Sequence, residues 1–101
     1  MDYNQDDKQL LFEERSYKEV HLKPFSGNPY SWERVRLYST GPQYMLVHEL
    51  HSDFREEPTI ITYYHRELDA IERYIREQVR SAPLMRLLLQ YLEIYKTESR
   101  Q

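Results

Sequence analysis

PTIITYYHRELDAIERYIREQVR, residues 58–80, changes its period part way along. Up to Tyr64 the stretch is β-branched and aromatic, a composition suited to a pleated, half-buried strand. After Tyr64 the apolar residues Leu68, Ile71, Ile75 and Val79 recur at helical spacing, with Tyr74 beside them. At about 100° per residue that apolar arc spans roughly 140°. The opposite side places acids four residues ahead of arginines, Asp69 with Arg73 and Glu72 with Arg76, which is the favourable order on a helix. A strand therefore feeds a one-sided helix, and such a helix buries its stripe by lying on a sheet.

Upstream the chain supplies that sheet. ERVRLYST, residues 33–40, alternates, with Val35 and Leu37 on one side and Arg34, Arg36 and Tyr38 on the other. Gly41-Pro42 interrupts the pattern, and QYMLVHELH, residues 43–51, resumes it with Tyr44, Leu46, His48 and Leu50 on one face. Two alternating runs around a short break predict a β-hairpin. Residues 52–58, SDFREEP, read as a charged loop. Ahead of the hairpin, SGNPYS at 26–31 is turn chemistry. Val20 and Leu22 share a face within a predicted strand over 17–23, preceded by a helical turn. Leu10, Leu11 and Phe12 begin the apolar material, and residues 1–9 read as a flexible acidic tail ahead of a single domain over 10–101.

Downstream, Ser81 is placed to cap a second helix over about 82–96, with Pro83 tolerated in its first turn. Strands come first and helices last. The expected fold is α+β: an antiparallel sheet of three to four strands followed by two C-terminal helices packed on one face.

Composition narrows the function classes. The chain has 101 residues and a formal net charge of −3, which gives no support for generic nucleic-acid binding. It has no cysteine, so a disulfide framework and a cysteine–zinc site are excluded. The acidic start lacks the basic and apolar regions of a signal peptide. No run approaches the roughly 18–20 apolar residues needed to cross a bilayer. A cytoplasmic location without membrane contact is the expectation.

The second helix is the richest in apolar residues. Arg86, Gln90, Glu93 and Thr97 form a narrow polar stripe, while Leu84, Met85, Leu87, Leu88, Leu89, Tyr91, Leu92, Ile94 and Tyr95 fill the rest. A sheet contact on one side covers only part of such an arc. The expectation is therefore an interface with another chain through Leu84, Met85, Leu88, Tyr91, Leu92 and Tyr95, with a homodimer favoured and a different protein partner also expected. Ten tyrosines point the same way, because tyrosine is enriched at protein interfaces.

Chemistry has less material. In VHELH, residues 47–51, the histidines are three apart, whereas the zinc-protease helix needs four. On a strand His48 points away from Glu49 and His51, so His48 is expected half-buried and the other two solvated. No serine sits in a Gly-x-Ser-x-Gly elbow, and Gly27 and Gly41 are too few for a phosphate loop. No catalytic residue, cofactor or metal is expected, and the chain is read as not an enzyme. Arg34 and Arg36 beside Tyr38, with Tyr44 nearby, form the other candidate partner-binding surface. Stacking plus phosphate contact there is the route to a nucleic-acid reading.

Residues 58–97 read strand, helix, turn, helix, an order that resembles the ribbon-helix-helix family of dimeric DNA-binding proteins. The resemblance covers about 40 residues and rests on element order. It implies a dimer whose ribbon, TIITYY, reads the major groove. Ile60, Thr62 and Tyr64 or their neighbours would face outward, none of them basic or an amide, and RSAPL at the helix junction lacks glycine. The favoured expectation is a small non-catalytic regulatory protein that binds protein, in the manner of an inhibitor or accessory factor of phage or bacterial origin. The alternative is a ribbon-helix-helix-like or other nucleic-acid-binding regulator.

Overall fold

The computed structural model describes residues 8–16, 32–52 and 57–99. The strand expected over 17–23, the turn at 26–31 and most of the loop at 52–58 lie outside them, as does most of the tail. Four antiparallel strands stand in chain order: β1 (Gln9–Arg15), β2 (Trp32–Ser39), β3 (Tyr44–His51) and β4 (Thr59–His65). Two helices follow, α1 (Leu68–Gln78) and α2 (Ala82–Ser99). The α+β reading thus holds, with the sheet first and the helices after it.

The central hairpin follows directly from alternation. Ser39 faces Tyr44, and the turn closes where the Thr40 N–H donates to the Gln43 carbonyl at 2.9 Å. Gly41 carries φ +93°, a backbone conformation that side chains resist. The period of two then sorts the side chains: Val35, Leu37 and Leu46 go under the helices.

At β1 the reading is corrected. The residues taken as a helical turn ahead of 17 belong to a strand paired with β2 from Gln9↔Ser39 to Arg15↔Arg34. The register shifts between Leu10 and Phe12, so Leu11 is an extra residue in the ladder. Leu11 and Phe12 both pack against the core, which spoils the alternation that would have announced a strand.

Ile71 and Ile75 of α1, with Val79 just past its end, close the core from above β3 and β4. Glu72 bonds Arg76 as expected, but Asp69 is held by Lys96 of α2 at 3.0 Å, not by Arg73. Lys96 also donates to Glu72 at 2.8 Å, tying the helices together. At the start of α2 the Ser81 hydroxyl accepts the Leu84 N–H at 3.3 Å, as its capping role requires.

The apolar arc of α2 is corrected residue by residue. Leu84, Leu88 and Leu92 form an i, i+4, i+8 stripe and are buried inside this subunit. They are core, not surface offered to another chain. Met85, Tyr91 and Tyr95 are half-buried, and Ile94 is exposed. The helix lies between α1 on one flank and β1 on the other, so two neighbours absorb an arc that one sheet contact could not cover.

Candidate functional site

The β2–β3 hairpin carries two carboxylates that its pleat sends to opposite faces. Glu33 points under the helices and Glu49 points away from them. Each gathers a cluster of polar partners, and both are buried at 3% exposure.

On the helix face, Val35 stands opposite His48. His48 is buried, with Nε2 2.7 Å from the Glu33 carboxylate and Nδ1 3.0 Å from the Tyr74 hydroxyl. An ionised carboxylate only accepts, so Nε2 carries the proton; the Tyr74 O–H donates to Nδ1 when the ring is neutral. Glu33 also accepts the backbone N–H of Arg80, at 2.9 and 3.0 Å to its two oxygens, and that of Ser81. Those N–H groups immediately precede α2, so a strand side chain anchors the start of a helix more than forty residues later. Burial alone would raise the Glu33 carboxyl; the His48 hydrogen bond and the two backbone donors outweigh it and hold the group below its ordinary value. The Tyr74 phenol is pushed up by burial and by the Glu33 charge.

Carboxylate, imidazole and phenol in line is an arrangement able to relay a proton. Here His48 has 1% of its surface exposed and every Glu33 oxygen is occupied. The expectation of a half-buried strand histidine understates it: His48 is the middle of a staple between sheet and helices.

On the open face, Glu49 accepts from Arg34 at 3.1 and 2.8 Å, from Arg36, and lies 2.9 Å from His51 Nε2. Burial would raise its carboxyl, but the bidentate Arg34, then His51 and Arg36, pull it down to about 2. Glu49 is thus not solvated, and His51 is half-covered: its ring stacks on Trp32 at 3.7 Å. The Arg15 guanidinium sits 4.5 Å above Trp32. Arg36 also stands 3.7 Å from Glu13. Arg34 and Arg36, expected as a basic patch, therefore face carboxylates, and their field toward a phosphate is largely neutralised.

Tyr38 shares their face, opposite Leu10 and Met45. Tyr44 does not: it meets Tyr95 of α2 edge-on at 6.3 Å. His48 and His51 lie on opposite faces of β3, and among the described residues no three His, Asp or Glu side chains gather as a metal would need.

Two apolar surfaces remain. A groove of about 290 Å³ between β1 and α2 is lined by Leu11, Phe12, Tyr91, Ile94, Tyr95 and Glu98. Its floor is set by Phe12 against Tyr91 at 5.7 Å and by the Tyr91 hydroxyl donating to Glu14 at 2.9 Å. Two residues of the expected interface, Tyr91 and Tyr95, thus end in a groove wall. The second surface is β4, where Ile60 is 57% exposed, Tyr64 51%, and Ile61 and Thr62 are exposed beside them. Sequence reading placed TIITYY on a strand; the signal it left unused was the absence of any charge among those residues. No family model, curated protein or solved structure matches the chain.

Proposed function

We propose that this chain is a small interaction protein that acts by binding another protein chain and performs no chemistry of its own. The observation that carries the reading is the uncharged β4 edge, which leaves Ile60 and Tyr64 exposed on one face and Ile61 on the other. Unpaired strand edges with apolar side chains are templates for pairing with another chain. The groups best suited to catalysis support the same view, because Glu33, His48 and Tyr74 saturate one another inside the fold. Among the described residues no helix is long and apolar enough to cross a membrane. With no cysteine to protect, a reducing cytoplasm suits the chain. An inhibitory or accessory role fits a binding surface carried on so small a domain.

The test is affinity capture from the native host with the full chain and with Ile60→Lys/Tyr64→Lys, both positions being exposed. A stoichiometric protein partner, self or other, recovered with the first and lost with the second supports the reading. Recovery of the same partners by both, or of none, removes it.

A second reading, nucleic-acid binding, has one observation in its favour: the Arg15–Trp32–His51 stack on the open face. Its test is retention on heparin or single-stranded DNA at low salt, lost in Arg15→Ala and in Arg34→Ala/Arg36→Ala. Flow-through of the unmodified chain ends it.

A further inference from the structure

We propose that β4 pairs antiparallel with β4 of a second copy of this chain, about a two-fold axis at Thr62, joining two sheets into one. The inference rests on the protein-binding reading above and names the partner.

The two edges of the sheet differ in what protects them. β1 carries a bulge at Leu11, and Glu13, Glu14 and Arg15 along its second half. Bulges and charges are the usual means of blunting an edge. β4, TIITYYH, has no acid, lysine, arginine, proline or glycine, and it runs in unbroken register with β3 from Tyr44↔His65 to Leu50↔Thr59. Among the described residues no strand lies along its outer side.

The register of a self-pair follows from the strand itself. Side chains alternate, so joining two copies with like faces together requires an axis through a residue, not between residues. Thr62 is the midpoint of β4. An axis there sets Ile60 against the second copy's Tyr64, twice, on the open face, with Thr62 against Thr62 between them. Ile61 meets Tyr63 on the helix face. Aromatic with β-branched pairs are among the favourable cross-strand combinations. Moving the axis to Ile61 sets Tyr64 opposite Pro58; moving it to Tyr63 sets Ile60 opposite Arg66. Only the Thr62 axis matches the two large exposed side chains of the open face, Ile60 and Tyr64, with each other. The occupant is a second copy because the strand complements itself: with no charge to repel its own image, each Ile60 meets a Tyr64 in both halves. β4 keeps β3 on its inner side, so the product is a continuous sheet.

A single strand pair buries less than the roughly 1,200 Å² of a standard stable interface. The dimer is therefore expected to be weak and concentration-dependent, with dissociation in the micromolar range.

The test is sedimentation equilibrium of the full chain from low to high micromolar concentration, with circular dichroism to confirm folding. The expected result is a reversible monomer–dimer equilibrium. Thr62→Lys, at an exposed position, puts two like charges on the axis and should weaken it at least tenfold; Thr62→Glu should do the same. An equimolar mixture of the two should dimerise again, because only a 62-to-62 contact sets those charges against each other. A monomer at every concentration overturns the proposal. So does a dimer that ignores Thr62→Lys, or one lost instead through Ile94→Glu in the β1–α2 groove. If the purified chain stays monomeric while β4 captures a different protein, self-pairing falls and the protein-binding reading stands.

Discussion

Glu33 and Glu49 lie on neighbouring strands of one hairpin, equally buried, and do different work. Glu33 reaches across the chain to His48 and to the start of α2. Among the described residues Glu49 collects partners from its own strand and from β2. The first is a joint between sheet and helices; the second stiffens the sheet locally. A carboxylate's weight in a fold depends on what else could solvate its partners once it is gone. The buried His48 imidazole has no alternative. Arginines at a surface can turn to water.

That contrast can be broken. Glu33→Ala should cost about 3–5 kcal/mol, the range for removing one partner of a buried charged pair. For a domain with a total stability of about 5–15 kcal/mol, much of the margin goes, and the loss should show in chemical denaturation and as rapid amide exchange at Arg80 and Ser81. Glu49→Ala should cost less, about 2 kcal/mol, in the range for hydrogen bonds to a charged group, since Arg34 and Arg36 keep access to solvent. If the two losses come out equal, the distinction between joint and local cluster fails.

Acid sharpens it further. Both carboxyls are held below their ordinary value, so each stabilises the fold above the normal carboxylate range. That contribution should disappear as the pH falls from about 5 toward 2, where the folded state must take up protons the unfolded chain already holds. Denaturation midpoints followed from pH 7 to 2 should drop steeply for the unmodified chain and less steeply for Glu49→Gln. Smaller again, Tyr74→Phe should cost about 1 kcal/mol, one neutral hydrogen bond to His48. Arg15→Ala should change stability by under about 1 kcal/mol, because its partner Trp32 keeps the His51 stack.

Much of the architecture was legible in residue order. The alternation of Val35 and Leu37 against Arg34 and Arg36 announced β2, and Leu68, Ile71 and Ile75 announced α1. The cap at Ser81 was legible because its acceptor lies three residues from its donor. β1 was not, since the bulge at Leu11 breaks the period by which strands are recognised. Nor was the standing of Glu33, His48 or Glu49. As letters on a strand His48 read as half-buried and Glu49 as solvated, and Glu33 drew no reading; most of their partners lie on other elements.

The residues alone therefore determined β2, β3, β4 and the two helices, their order and the two faces of the central hairpin, because those depend on spacings of two, three and four along one chain. Only the folded structure decided that Leu84, Leu88 and Leu92 are core, that Arg34 and Arg36 are neutralised, and that the exposed apolar edge belongs to β4. Each of those outcomes depends on which distant segment comes to lie alongside, and enclosure by a neighbour is a property of the packed chain.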